Sequence, residues 1–458
     1  MRPRTDIGTP GKPRFYGIHN IDKLPQFGLL SDDEQFALKV VGRVLPFRVN
    51  NYVVDELIDW SNVPDDPVFQ LTFMQKEMLR ATHFDKMADA VKRELPKADL
   101  DRIAREIRLD LNPHPAGQMT ANVPRLEGEA VPGIQHKYRE TCLVFPSNGQ
   151  TCHAYCTFCF RWPQFVGMND LKFATDESAR FQQYIRQHTE LTDVLFTGGD
   201  PMVMSARNIA RYIEPLLEPE FEHIQSIRIG TKSLGYWPYR FVTDKDSDDI
   251  MRLFDKIVRS GKHLAIMAHF NHWQELATPA VHEAIRRVRS TGAQIRTQSP
   301  LIRNINDRST VWARMWKEQV RLGCVPYYMF VERDTGSKHY FAVPLVDAWE
   351  IYQKAFQQVS GLARTVRGPS MSAFPGKVAV EGISEIRGER VFVLSFLQAR
   401  NPDHVKRPFF ARFDPNATWL SQLKPAFGRE RFFFEQEKGT HRQHGVRQER
   451  RVMNLKLN

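Results

Sequence analysis

Three of the chain's five cysteines fall within one short run, Thr151-Cys-His-Ala-Tyr-Cys-Thr-Phe-Cys-Phe-Arg161. Thiolates at Cys152, Cys156 and Cys159, spaced CxxxCxxC, can hold three irons of a [4Fe–4S] cube and leave the fourth iron open, where a four-cysteine run would close it. An open iron is a binding position, so such a cluster acts on a ligand as well as passing electrons. Structural zinc is the alternative, but it takes four ligands, commonly in CxxC pairs. His153, adjacent to Cys152, is poorly placed to close the same tetrahedron.

Two further positions carry chemical potential. Thr197-Gly-Gly-Asp-Pro201 ends an apolar run. Paired glycines allow close backbone approach to a ligand, and Asp200 offers an acceptor for a cationic amine, although most such tripeptides are plain turns. Lys377 by itself is a lysine after a turn, of a kind most often solvated, with apolar Val378 and Val380 after it, and it is the resemblance given below that singles it out. A strand there would hold the amine in a pocket and depress its pKa.

The elements that must position these residues follow a βα rhythm. Short apolar or β-branched runs lie at Thr141–Phe145, Asp193–Thr197, Ser226–Gly230, Leu264–His269, Gln294–Gln298 and Val325–Val331. Helix-like segments lie between them, at Ala206–Leu217, Ser247–Ser260, Pro279–Ser290 and Ser309–Arg321. This alternation predicts an α/β fold with a parallel sheet, a partial (β/α)6 barrel over residues 136–345. Barrel chemistry gathers at the C-terminal ends of strands. The cysteine loop follows the first strand, and Gly198, Gly199 and Asp200 follow the second.

Residues 1–135 read as a mainly helical N-terminal region. Ser31-Asp-Asp-Glu34 is a capping box opening a helix through about Val44, Pro-Asp-Asp-Pro67 interrupts, and Lys76 to about Ile107 has helical spacing. Residues 346–436 predict a small C-terminal α+β region carrying Lys377. It comprises a helix over Asp347–Val359, a Gly/Pro/Ser-rich loop around Gly368–Gly376, and strands at Lys377–Val380 and Arg390–Leu394. Residues 437–458 form a basic tail.

Hydrophobic content of 42% and aromatic content of 11% describe a globular protein. No run approaches the ~18 apolar residues of a membrane span, and the first residues lack the apolar segment of a secretory signal. Few, clustered cysteines fit a reducing, cytoplasmic setting. Of the net charge of +11, residues 1–15 contribute +3 and residues 437–458 contribute +4. Charge so confined to polar ends argues against a nucleic-acid-binding face.

The cysteine spacing is the signature of radical S-adenosylmethionine (SAM) enzymes. From about Pro46 to about Val380 the chain resembles one family of them, the lysine 2,3-aminomutases, which also use pyridoxal 5′-phosphate (PLP). The resemblance is carried by Val131-Pro-Gly-Ile-Gln-His-Lys-Tyr138, the cysteine run with Arg161, Thr197-Gly-Gly-Asp-Pro201 and Arg228-Ile-Gly-Thr-Lys232. It continues through His269-Phe-Asn-His272, Gln298 with Leu301–Asp307, and Pro326-Tyr-Tyr328.

The resemblance implies an enzyme that moves an amino acid's α-amino group to C3, taking its electron from a donor such as flavodoxin or ferredoxin and forming a homo-oligomer. A radical SAM enzyme of the same fold without the mutase step is the rival reading. Gly198, Gly199, Asp200, His269, Asn271 and Gln298 would hold SAM. Lys377, in Ala373-Phe-Pro-Gly-Lys377-Val, would bond PLP covalently, with Lys137 and Tyr138 beside it. Thr141 stands where the family has a second phosphate-binding basic residue, so Arg139 would have to supply that contact. Arg161 would clamp the substrate α-carboxylate with its guanidinium fork.

Two departures bear on the substrate. Lysine-acting members grip the distal ammonium with two aspartates, and ungapped matching puts Arg333 and Ser370 at those positions. A cation there repels an ammonium, so an acidic, glutamate-like substrate is expected. A slip of one residue would instead present Glu332 or Asp334 and restore lysine. The C-terminal cysteines that bind structural zinc in some members have no counterpart after Cys324, so no such zinc is expected.

Overall fold

The computed structural model describes residues 12–167, 173–175 and 178–435; the basic tail at 437–458 lies outside them. In the N-terminal region β1 (Phe15–Gly17) pairs antiparallel with β2 (Arg48–Asn50), and α1 (Asp32–Val44) lies between them in sequence. The helix starts at the expected capping box: the Glu34 amide donates to Ser31 Oγ, and the Ser31 amide donates to the Glu34 carboxylate. Asp66 caps α2 (Pro67–Thr72) by accepting the Val68 and Phe69 amides at 2.9 and 2.8 Å. The helical stretch expected from Lys76 to Ile107 is divided into α3 (Ala81–Lys92) and α4 (Lys97–Asp110). Glu94 turns out of the helix at φ +50°, and Pro96 bars helical geometry at Leu95 before acting as the next N-cap. A short hairpin, β3 (Arg125–Leu126) with β4 (Glu129–Ala130), leads into the barrel.

There β5 (Ile134–Tyr138) and β6 (Thr141–Val144) open a sheet that continues through α5 (Ser178–Gln187), β7 (Asp193–Phe196), α6 (Ala206–Ile213) and β8 (Ser226–Thr231). It runs on through α7 (Ser233–Tyr236), α8 (Ser247–Arg259), β9 (His263–His269), α9 (Pro279–Ser290), β10 (Gln294–Leu301), α10 (Ser309–Arg321) and β11 (Val325–Val331). The six expected strands are all present and mutually parallel. On β8 one face is buried, with Ile227 and Ile229 fully buried while Ser226, Arg228 and Gly230 alternate with them on the more open face, whereas β9 is buried on both faces from Leu264 to Ala268.

The sheet does not stop at residue 345. After α11 (Lys338–Phe341) and α12 (Leu345–Gln357), β12 (Arg367–Ser372) adds in parallel to β11. The loop expected around Gly368–Gly376 is therefore mostly strand. Gly368 makes the pass possible, since at φ +152° a Cβ would lie 2.2 Å from the Met329 carbonyl oxygen. Then β13 (Gly376–Ile386), β14 (Glu389–Ala399) and β15 (Pro408–Arg412) continue antiparallel, making eleven strands in one sheet. Residues 346–435 thus extend the barrel sheet and add a second apolar core of Val378, Val380, Phe392, Leu394, Phe396, Phe409 and Trp419.

The sheet curls until its distant strands meet. Lys137 on β5 donates its ammonium to the carbonyl of Ala373, between β12 and β13. Arg228 on β8 and Lys377 on β13 sense each other's charge although β9 to β12 lie between them in the sheet.

Candidate active site

The cysteine loop leaves β6 and is held from below by the N-terminal region. The Tyr155 amide donates to the Arg48 carbonyl at 2.8 Å, and the Thr157 amide donates to the Leu71 carbonyl at 3.0 Å. Its other side is held by the glycine pair. The Asp200 amide donates to the Thr151 carbonyl at 2.8 Å, and a Cβ on Gly199 would stand 2.5 Å from that carbonyl oxygen. The close approach that requires glycine is therefore to the cysteine loop, where the sequence reading had a ligand.

Cys152, Cys156 and Cys159 are free and half-buried. Burial pushes all three thiols up, Cys156 to about 11 and Cys159 to about 12, so cluster binding must displace their protons. His153 is no fourth ligand: its Nδ1 bonds Ser233 Oγ at 2.9 Å and its ring stacks on Trp237.

Asp200 is buried and already engaged. Its carboxylate accepts from the Met202 amide at 2.9 Å, Thr231 Oγ1 at 2.7 and 2.9 Å, the Lys232 amide at 2.9 Å and Ser233 Oγ at 3.0 Å. It locks the end of β8 to the loop after β7, and a ligand ammonium would have to share it. Asn271 is likewise consumed, accepting from Lys232 Nζ and donating to Ser299 Oγ. His269 and Gln298 differ. They are register neighbours on β9 and β10, and the buried Nε2 of His269 has no partner. Burial, helped by the charge of Lys232, keeps this imidazole neutral. It fits a ligand that supplies a hydrogen-bonding group at the strand ends.

Lys377 lies at the start of β13. Its ammonium is 4.0 Å from the centre of the Tyr328 ring and 3.2 Å from Gln398 Oε1. Burial, with the charges of Arg228 and Arg367 adding to it, brings its pKa down to about 7. An amine half-neutral at pH 7 is a competent nucleophile toward an aldehyde such as that of PLP. Lys137 is depressed by burial and by the charges of Arg400, Arg333 and Lys377, which places all four cations around one space. Tyr138, its phenol raised by burial, faces Arg400 and Arg333 there.

Arg139 is exposed, with its carbonyl accepting from His136, and does not join this group. Thr141 donates to Asp193, which is ion-paired with Arg228. The sequence reading missed Arg400 as a cation beside Lys137, and Arg228 and Arg367 as cations beside Lys377. Arg228 lay within a quoted motif, but nothing around Arg400 distinguishes it in sequence.

Arg161 is buried against the Phe145 ring, 4.1 Å from its centre, with Nε and Nη2 unpaired. Burial and the charge of Arg333 bring its pKa down to about 10 against the opposing pull of Cys159. Arg333 follows the end of β11, 5.1 Å from the centre of the Phe160 ring, with its Nε also buried and unpaired. Glu332 is buried beside it and near Cys159, and burial raises its carboxyl to about 8 despite Arg333 and Lys338. Ser370 is not part of this group. Fully buried in β12, it directs its hydroxyl toward the Met329 carbonyl at 3.5 Å. The structure thus links Cys159, Arg161, Arg333, Lys137 and Lys377 in one charge-coupled line.

No family model matches the chain. A protein of Aquifex aeolicus (strain VF5), provisionally named L-lysine 2,3-aminomutase, is 28% identical over 391 residues, covering 85% of this chain and 91% of its own length. Glutamate 2,3-aminomutase of Clostridioides difficile (strain 630) is 25% identical over 348 residues, covering 76% of this chain and 70% of its own. A radical SAM methyltransferase structure from Sphaerobacter thermophilus aligns with 51% of this chain and 68% of that chain, at 17% identity and a TM-score of 0.35.

Proposed function

We propose that the chain is a radical SAM 2,3-aminomutase of the lysine 2,3-aminomutase family, as its similarity to lysine and glutamate 2,3-aminomutases supports, and that it moves the α-amino group of an acidic, glutamate-like amino acid from C2 to C3. Members of this family are isomerases that work with a [4Fe–4S] cluster, SAM and PLP. Those cofactors, when bound, supply the one-electron bond cleavage and the electron-accepting π-system that the amino shift needs.

The observation that supports the substrate assignment is the pair of buried guanidinia, Arg161 and Arg333, close enough for one charge to act on the other and each with unpaired nitrogen. Buried charge is costly; Asp334 opposes part of that of Arg333, and a substrate with two carboxylates would satisfy the nitrogens left unpaired on both guanidinia. Arg161, next to the cysteine loop, orients the α-carboxylate, and Arg333 takes the distal one. Phe145 and Phe160 lie against the guanidinia. Glu332, with its carboxyl near 8, is neutral at pH 7 and does not offer a lysine ammonium its counter-charge.

In this reading Cys152, Cys156 and Cys159 hold the cluster. The Gly198–Gly199 backbone, Asp200, His269 and Gln298 line the SAM position, and Lys377 bonds PLP with Lys137 and Tyr138 beside it. Lys377's low pKa leaves it free to take or release a proton as that bond forms and breaks. Among the described residues no helix is long and apolar enough to cross a membrane. We place the enzyme in the cytoplasm, as a homo-oligomer reduced by flavodoxin or ferredoxin.

The test is an anaerobic assay of reconstituted enzyme with SAM and a panel of amino acids. β-Glutamate as the product is expected, and β-lysine in its place would overturn the substrate assignment. Turnover surviving Lys377→Ala would favour a reaction without PLP.

A further inference from the structure

Tyr236 closes α7, directly beneath the cysteine loop. The residue is 1% exposed. Its backbone is fixed at both ends, the amide donating to the Lys232 carbonyl at 2.9 Å and the carbonyl accepting from Asn50 Nδ2 at 2.9 Å. Asn50 also holds the His153 carbonyl, so one side chain ties the cysteine loop to Tyr236. Among the described residues, the partner found for the Tyr236 hydroxyl is Cys156 Sγ, at 3.8 Å.

The surroundings set the direction of that bond. In the metal-free protein the Cys156 thiol donates to the phenol oxygen. A cysteine bound to iron has no proton and can only accept. A phenol keeps its proton at neutral pH, so it becomes the donor. Lys232 Nζ lies 4.2 Å from the centre of the Tyr236 ring and is fixed by Glu275 Oε2 at 2.6 Å and Asn271 Oδ1 at 2.8 Å. A cation on the ring face withdraws electron density and strengthens the O–H as a donor.

We propose that Tyr236 donates a hydrogen bond to the cluster-ligating sulfur of Cys156 and so raises the potential at which the cluster accepts its electron. Donors to cluster sulfurs favour the reduced state, which carries one more negative charge. Tyr236 is a positioning residue in this scheme and touches neither substrate nor SAM. The inference rests on the three-cysteine cluster but not on the identity of the substrate.

The experiment is an anaerobic potentiometric titration of the reconstituted holoenzyme, followed by electron paramagnetic resonance. Iron content is measured first: a wild-type protein without about four irons per chain would sink the cluster assignment itself. Given a loaded cluster, Tyr236→Phe is expected to keep its iron and melting temperature and to show a lower midpoint potential. An unchanged or higher midpoint overturns the proposal. Should the Phe variant fail to load iron, 3-fluorotyrosine at position 236 decides. This stronger donor of nearly the same shape should raise the midpoint, and a midpoint equal to wild type overturns the proposal.

Discussion

Arg333 presses its positive charge on Arg161, and both buried guanidinia keep nitrogens without partners. Nothing in the fold requires two cations to meet. Arg161 arrives from the cysteine loop after β6, and Arg333 from the end of β11. Charge stored in this way is satisfied by a ligand that brings opposite charge with it.

Replacing Arg333 by Gln should lower kcat/KM for glutamate about a hundredfold or more, the scale of losing one partner of a buried charge pair. Arg333→Asp should go further and let lysine turn over, since it restores an acid opposite an ammonium. Steady-state kinetics with both amino acids reads the two effects together.

The carboxyl of Glu332, near 8, predicts a pH profile. Below that value the group is neutral and does not compete with the substrate for Arg333. Above it the carboxylate neutralises Arg333 and repels an acidic substrate, so kcat/KM for glutamate should fall as pH rises through about 8. Glu332→Gln should match wild type at pH 7 and lose this alkaline limb. A limb that survives in the variant belongs to another group.

Lys377 binds a proton up to its ordinary 10.5 in the unfolded chain but only up to about 7 in the folded one. Between those values the unfolded state holds more protons, so the lysine's destabilising effect is full below about pH 7 and fades as pH rises toward 10.5. The PLP-free Lys377→Met variant should therefore melt higher than wild type at pH 7, with the gap closing by pH 10. The same variant, given PLP, should show none of the absorbance of a lysine-bound cofactor.

Alanine at Cys152, Cys156 or Cys159 should abolish the brown colour and the activity, because no other cysteine lies in the run to take over the iron. Alanine at Cys324, buried and free on the far side of α10, should leave iron content unchanged. Iron analysis after anaerobic reconstitution distinguishes the two classes.

Much of the barrel was legible in advance because local chemistry encodes it. β-Branched runs of strand length and capped amphipathic helices mark themselves, and α9 and α10 have the expected bounds. The break between α3 and α4 was less visible, since apolar spacing continues across Glu94 and Pro96 while the backbone does not. β12 was hidden for the opposite reason. Its glycine, proline and serines look like a loop, and only the carbonyl of Met329 passing 2.2 Å from where a Cβ would be shows why a glycine belongs in a strand.

The site divides in the same way. The cysteine run could be named from residue type and spacing, because three thiolates so placed have their chemistry wherever they fold, whereas Arg161 and Lys377 were named through the family resemblance. Their relations could not be named in either way. Only the curl of the sheet brings Lys137 to Ala373 and within reach of Lys377's charge. Only tertiary packing spends Asp200 on Thr231, Lys232 and Ser233 rather than leaving it open. Ser370 and Arg333 looked equivalent as replaced aspartates, yet one is turned into the sheet and the other into the pocket. Sequence by itself determined which functional groups this protein carries. Which of them face one another, and with what charge, was decided by burial and by contacts between distant strands, since pKa and hydrogen-bond satisfaction are properties of surroundings that no local stretch of chain contains.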